Sequence, residues 1–284
     1  MQTAPGREAS HGRRDALETM NSSGSNRDYF QFEDINHAIV RLFRDAGQSA
    51  REPETVLDIG CGRARLGLEI ERLEYRVTGI DKSSLACAAA RDRITEVIEH
   101  DIMEVVGIAK ILEGRQFDWL MAADILEHCP NPEAALRFYR RFLKPDGRLL
   151  VSLPNVAVWD NRCRLLFGRF NYTDSGVMDR THLRFFTFRS ARELVLKSGF
   201  TVDRTTWEPG IVRAFVPLMK RLIYNLNSPG AIVDSPAYRF YSRYLMPVEH
   251  LIAGIAPGLL AFRTVMLAHV SDCAEEQPTH QNRN

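Results

Sequence analysis

Four acids close short apolar runs in the first half of the chain: Asp58, Asp81, Asp101 and Asp124. The first lies just before a tight Gly60-Cys61-Gly62 turn, within Thr55-Val-Leu-Asp-Ile-Gly-Cys-Gly-Arg-Ala-Arg-Leu-Gly67. Small residues let a backbone approach a ligand closely, and the free N–H groups of a following helix face it. If the apolar runs are parallel strands, the acids lie along the carboxyl edge of one sheet, where open α/β sheets bind ligands. Four acids there would repel a polyphosphate. They suit a ligand carrying hydroxyls, an amino group and a cationic centre. A second-strand acid can accept both hydroxyls of a ribose, and an acid after the third strand can accept from an adenine amino group.

Two common nucleotide sites do not fit. The register Gly60-x-Gly62-x-x-Arg65 lacks the third glycine of a dinucleotide fingerprint, and a phosphate loop with Gly-Lys-Ser/Thr is absent. The acids therefore imply S-adenosylmethionine. Cysteines and histidines show no zinc-like spacing, so no metal is expected. His182 and His128 are the candidate general bases, because an imidazole titrates near neutrality. Each has an alternative reading, His182 as a loop anchor and His128 as a packing residue beside the cofactor. Asp174 and Asp179 either orient a histidine, bind acceptor hydroxyls or make turns. From Asp160 to Arg192 there are seven arginines against three acids, which reads either as a phosphate-binding face or as a solvated surface.

These residues need elements to hold them. Residues 34–46 have helical periodicity, with Asp34 as a plausible cap. Strands are expected at Thr55–Ile59, Arg76–Ile80, Val97–His100, Phe117–Ala123 and Arg148–Leu153, with helices at Arg65–Leu73, Ser83 or Ser84 to Thr95, Met103–Leu112 and Pro132–Leu143. Alternating strands and helices argue for a parallel sheet covered on both faces. The rhythm breaks between Asn155 and Phe186. It resumes with a helix from Ser190 to Ser198 and a strand from Phe200 to Trp207. Helices are expected at Gly210–Leu226 and within Ala237–Ala253, and a final strand at Leu260–Val270.

The runs Val56-Leu-Asp-Ile-Gly-Cys-Gly62, Ala123-Asp-Ile-Leu-Glu-His128 and Leu143-Lys-Pro-Asp-Gly-Arg-Leu-Leu-Val151, with Asp81 and Asp101, resemble the class I S-adenosylmethionine-dependent methyltransferases. The likeness runs in order over residues 34–207. It implies an α/β, Rossmann-like, doubly wound sheet of seven strands with the last antiparallel, plus helical insertions. It also implies that Asp58, Gly60, Cys61 and Gly62 hold the methionine moiety, and that Asp81 with Lys82 holds the ribose. Asp101 with Ile102 would hold the adenine, and Ala123, Asp124 and His128 would flank the methyl end. Ala64 stands where the family often has glycine, and is expected to be tolerated unless that position needs a positive φ. Ser152-Leu-Pro-Asn-Val-Ala157, Leu166-Phe-Gly-Arg-Phe-Asn-Tyr172 and Asp179-Arg-Thr-His-Leu-Arg-Phe-Phe-Thr187 are similar to a bacterial subgroup associated with surface-polysaccharide assembly.

The expected organisation is a methyltransferase domain at 28–271 between disordered tails at 1–27 and 272–284, with acceptor-site insertions at 155–186 and 208–257. The expected reaction is O-methylation of a sugar or glycan precursor hydroxyl. Asn155, Tyr172, Asp179, Arg180 and Arg184 are the expected acceptor contacts. The alternatives are a phenolic or quinone-like acceptor, a cofactor-binding module without catalysis and, least favoured by the glycine register, a nicotinamide reductase. A Pro-Pro-Tyr-type motif after the fourth strand, which would point to amino-nitrogen methylation, is absent. The chain has 284 residues, a formal net charge of +1 and five cysteines, which argues for no nucleic-acid partner and for a reducing cytoplasm. Residues 210–226 are amphipathic and basic, which allows peripheral contact with the inner face of a membrane. A lid packed on the domain is the other reading of that stretch. The sequence does not set the oligomeric state.

Overall fold

The computed structural model describes residues 35–46, 52–211 and 240–271. The elements are α1 (His37–Ala46), β1 (Thr55–Ile59), α2 (Arg65–Glu71), β2 (Arg76–Asp81), α3 (Ser84–Ala90), β3 (Glu96–Glu99), α4 (Val105–Ile111) and β4 (Phe117–Ala123). A short 3-10 turn, Leu126–His128, leads to α5 (Pro132–Tyr139) and a second one at Arg140–Phe142. Then come β5 (Leu143–Pro154), α6 (Trp159–Leu166), α7 (Phe188–Lys197) and β6 (Phe200–Pro209). A π-helical turn at Tyr241–Leu245 precedes α8 (Met246–Ala253), α9 (Pro257–Leu260) and β7 (Ala261–Val270).

The seven strands form one sheet in the order β3-β2-β1-β4-β5-β7-β6. β1 to β5 pair in parallel, while β7 runs antiparallel to both β5 and β6. The fold is therefore the seven-stranded sheet with an antiparallel last strand that the family resemblance implies. Because side chains alternate along a strand, each central strand feeds two cores. Leu57, Ile59, Leu120 and Ala122 join a core with Ile108, Leu136, Tyr139 and Leu194. Val56, Trp119 and Met121 join a second with Ile39, Phe43 and Tyr75. In the second, Phe43 meets Tyr75 at 4.9 Å and Trp119 at 4.8 Å between ring centroids, which fixes α1 against the sheet.

Local chemistry sets the element ends. Ser83 accepts from Ala86 N and caps α3, Asn131 accepts from Ala134 N and caps α5, and Thr187 with Ser190 forms a capping box on α7. Several expected boundaries move. α3 stops at Ala90 rather than reaching Thr95, and α5 gives way to the second 3-10 turn after Tyr139. β5 begins at Leu143, so Pro145-Asp146-Gly147 lies in a bulge where the register jumps from Phe117–Leu143 to Trp119–Arg148. Asn36 accepts from Ile39 N at the start of α1, whereas the expected cap Asp34 lies outside the described residues. So do both expected tails and all but the first two residues of the expected helix at 210–226. No helix among the described residues is long and apolar enough to cross a membrane.

Candidate active site

The glycine turn is held from below by the neighbouring strand. Gly60 N and Cys61 N both donate to Ile80 O, at 2.8 and 3.0 Å. Gly60 and Gly62 adopt φ of 78° and 53°, the left-handed region that suits glycine. At Gly60 space is also short, since a Cβ would fall 2.4 Å from the Ile125 side chain. Ala64 has φ 54° and is fully buried, so this position does need the left-handed conformation. The expectation of an easy exchange for glycine is corrected: the methyl is accommodated with backbone strain of about 1–2 kcal/mol.

Asp81 ties the turn to β2. Its two oxygens accept from Gly62 N at 2.9 Å and Ser83 N at 2.8 Å. A carboxylate has about four lone-pair sites, so each oxygen keeps capacity for a diol hydroxyl. Asp58 is buried opposite Gly79 of β2. Cys61 is buried against Gly79, and burial with the nearby Asp58 raises its thiol far above the usual range, so it is an inert packing group. Lys82 is exposed beside Asp81. Asp101 is exposed and accepts from Met103 N at 2.9 Å, and Ile102 O accepts from the Tyr139 hydroxyl. These residues lie along one sheet edge as the strand order requires. Their donor set fits a cofactor with ribose hydroxyls, an amino group and a cation.

The β4 end is built from side chains distant in sequence. Asp124 has φ 51°, accepts from the Ser152 hydroxyl at 2.8 Å and pairs with Arg263 at 2.7 Å. The buried Arg263 also pairs with Glu208 at 2.8 Å, and Glu208 accepts from Ala38 N on α1. The 3-10 turn then presents Glu127, whose backbone oxygen accepts from Leu183 N and Arg184 N of the 155–186 insertion. The Glu127 side chain is buried, and neither carboxyl oxygen has a hydrogen-bond partner. Burial, reinforced by the charge of Asp124, pushes its acid well above the ordinary glutamate range.

Both candidate bases lie beside it. His182 Nδ1 makes a 3.2 Å contact with Val177 O, and its Nε2 lies 3.9 Å from Glu127 Oε1. A carbonyl only accepts, so that contact puts the proton on Nδ1 and leaves the Nε2 lone pair facing Glu127. His128 Nδ1 contacts Thr181 O at 3.2 Å, and the two imidazoles stand edge to face at 4.9 Å. Burial lowers the basicity of both, with His182 adding to the effect on His128. His128 thus anchors the insertion at Thr181 O, while His182 is held through Nδ1 and turns Nε2 toward Glu127. One ligand atom from each of Glu127, His128 and His182 falls within 4.8 Å of the others, which is also close enough to hold a divalent cation.

The expected acceptor residues divide. Asn155 is fully buried, with Nδ2 donating to Gly258 O and Ala261 O and Oδ1 accepting from Ala157 N. Its amide is spent within the fold, so the expected acceptor contact is replaced by a structural one. Arg184 clamps Pro130 O through Nε and Nη2, and Arg180 pairs with Asp174. Asp179 Oδ1 accepts from Thr181 N and its hydroxyl. Tyr172 is exposed and shares a ring cluster with Phe170 and Phe185. Glu127, Glu208 and Arg263 carry the site but had no role in the sequence reading. Glu127 had a signal, its place beside His128 in the strand-four motif, whereas Glu208 and Arg263 are joined only by the β6–β7 pairing.

Comparison with known proteins agrees with this fold. The model of a methyltransferase-domain family matches residues 28–205, more than half of the chain. The chain belongs to that family and is a class I S-adenosylmethionine-dependent methyltransferase. A ubiquinone biosynthesis O-methyltransferase of Pseudomonas paraeruginosa is 32% identical over 105 residues, 36% of this chain and 45% of that protein. One from Xanthomonas oryzae pv. oryzae is 35% identical over 103 residues, 35% of this chain and 43% of that protein. The matched stretches thus cover less than half of either relative. Among solved structures, the cyclopropane synthase MmaA2 from Mycobacterium tuberculosis aligns with a TM-score of 0.52 at 19% identity, covering 85% of this chain and 88% of that one. A methyltransferase from Archaeoglobus fulgidus aligns with a TM-score of 0.51 at 16% identity, covering 81% and 91%. At these identities they speak for the fold alone.

Proposed function

We propose that the protein is an O-methyltransferase acting on a weakly acidic hydroxyl of a sugar or glycan precursor. The observation that supports this reading is the buried Glu127 with His128 and His182 around it, beside the strand-four turn. Asp58, Gly60, Gly62, Asp81, Lys82, Asp101, Ile102, Ala123 and Asp124 would hold S-adenosylmethionine along the sheet edge, with only the backbone of Cys61 contributing. When bound, the cofactor supplies an activated methyl group on a sulfonium. What remains for the chain is to place the acceptor oxygen, worth up to about 7–11 kcal/mol in well-oriented systems, and to remove its proton, worth about 10²–10⁴-fold.

His182 Nε2 is the assigned proton acceptor. A hydroxyl at ordinary hydrogen-bond distance from both Nε2 and Glu127 Oε1 completes a triangle on their 3.9 Å separation. Its proton passes to Nε2. Glu127 orients the hydroxyl for this transfer. Entry of the acceptor requires the 155–186 insertion to part from the strand-four turn. The attachments there are hydrogen bonds from Leu183 N, Arg184 N and the Arg184 guanidinium to Glu127 O and Pro130 O, with the His128–Thr181 contact. These can open without breaking the sheet. The exposed rings of Phe170 and Tyr172, joined to His182 through Phe185, offer a stacking surface for a sugar.

A phenolic or quinone-like acceptor is the second reading, favoured by the matched ubiquinone biosynthesis O-methyltransferases. The two differ in how much base they need, because a phenol gives up its proton more readily than a saccharide hydroxyl. Transfer from labelled S-adenosylmethionine to nucleotide-sugars, lipid-linked sugars and catechols separates them. Label on a sugar, lost in His182→Ala, is the expected result. Label on catechols alone would overturn the sugar reading. Transfer lost on chelation and restored by a divalent cation would move Glu127 and His182 from proton removal to metal ligation.

A further inference from the structure

α8 is built inside out. Its buried positions include Glu249, which accepts from the Tyr241 hydroxyl, and His250 stacks on Trp207 at 5.2 Å. The positions facing outward are apolar: Tyr244 in the preceding π-helical turn, then Val248, Leu251 and Ile252 in α8, and Ile255 in the turn after it. Their spacing places them along one stripe, and Leu251 and Ile255 are 77% and 84% exposed. A helix packed on a globular domain ordinarily turns its apolar face to the core. Contiguous apolar exposure of this kind marks a contact surface.

A cleft of about 270 Å³ lies between α1 and the π-helical turn, lined by His37, Val40, Arg41, Arg44, Arg243 and Met246, and it meets the stripe where Arg243 lies over the Tyr244 ring. Among the described residues, none of its three arginines forms an ion pair. The acid of α1, Asp45, pairs with Arg204, and Glu249 is turned inward. The cleft therefore presents positive charge next to an aliphatic stripe. Aromatic side chains, Phe240 and Tyr244, stand exposed at the arginine end.

We propose that α8 and the arginine cleft dock on an anionic lipid surface. The arginines take headgroup phosphates, whose oxygens match the guanidinium fork, and the aliphatic stripe enters the acyl boundary. Aromatic residues favour the level between the two. α9 continues this surface to the acceptor side, because Gly258 O accepts from Asn155 Nδ2 and Arg162 Nη2 at the root of the 155–186 insertion. A membrane-held acceptor would arrive beside that insertion. The docking itself does not depend on which hydroxyl is methylated.

Flotation of the full-length protein with equimolar phosphatidylglycerol–phosphatidylcholine vesicles tests this. The wild type is expected to float with them, to be released as salt rises, and to stay behind with phosphatidylcholine alone. Arg41→Gln with Arg44→Gln should weaken binding about 25-fold, at about fivefold per arginine. Leu251→Glu with Ile255→Glu should abolish flotation. All four changes lie on the surface, so melting temperature and S-adenosylmethionine affinity should stay at wild-type values. Failure of the wild type to float, or unchanged flotation of either double variant, overturns the proposal. So does a wild-type dimer that Leu251→Glu with Ile255→Glu dissolves in the absence of vesicles, which would make a second copy the occupant. Binding of inorganic phosphate through Arg41 and Arg44 without flotation would assign the cleft to a soluble anion instead.

Discussion

The two ends of the sheet's carboxyl edge are held in different ways. At the β1–β3 end the acids are fixed by nearby backbone: Asp81 by Gly62 N and Ser83 N, and Asp101 by Met103 N. At the β4–β7 end the groups are fixed by side chains from remote segments: Asp124 by Arg263, Arg263 by Glu208, and Glu127 beside His182. Backbone bonds within a turn keep one shape whatever surrounds them, which suits a ligand common to a family. Side-chain pairs across the fold can be exchanged while the sheet is kept. That suits an acceptor that differs from one family member to the next.

Four changes probe this contrast, and the largest expected effect falls at the acceptor end. His182→Ala should lower turnover by about 10²–10⁴-fold, read as kcat under saturating donor and acceptor. Next comes Arg263→Met, which leaves Asp124 and Glu208 without their shared cation. It should cost about 3–5 kcal/mol in urea denaturation. A change within 1 kcal/mol would show that the side-chain network does not hold this end. Third is Glu127→Gln. Because the folded-state acid is raised above its ordinary value of 4.5, the folded protein binds the proton more tightly than the unfolded chain. The contribution of Glu127 to stability should therefore be fully present at acid pH and be lost, by up to about 1.4 kcal/mol per pH unit, as pH rises from that value to the raised one. The variant should lose that slope, and an identical slope in both would remove the buried-acid argument. The smallest effect is expected at the backbone-held end. Ala64→Gly relieves left-handed strain of about 1–2 kcal/mol, but gives up a buried methyl worth about 0.8 and adds unfolded-chain freedom worth about 0.4–1. Its urea midpoint should move by less than about 1 kcal/mol in stability.

The same contrast explains what the sequence revealed. The β1–β3 end was legible because its parts are neighbours: a strand run, Gly60 and Gly62, and an acid at each strand end. The parallel pairing of the first five strands followed from the alternation of strands and helices, and the antiparallel last strand from the family resemblance. His182 stands out by its type and its place in the insertion, whereas Glu127, which lies beside it, reads only as part of a motif. Arg263 and Glu208 could not be paired in advance, since they lie 55 residues apart and meet only where β7 enters the sheet between β5 and β6. Asn155 misled for a related reason. A polar residue opening an insertion looks available, yet its amide is consumed by α9 and β7 partners from the far end of the chain. Ala64 shows the limit from the other side, because a side chain's type does not state its φ.

The most direct test of the division between the two ends is calorimetric titration of S-adenosylmethionine into the wild type, His182→Ala and Asp81→Ala. Asp81→Ala should bind about 10–150-fold more weakly, the loss of a charge-assisted hydrogen bond of about 1.5–3 kcal/mol. His182→Ala should bind within about twofold of the wild type, a difference below 0.5 kcal/mol. Weak donor binding in His182→Ala, with wild-type binding in Asp81→Ala, would contradict the account.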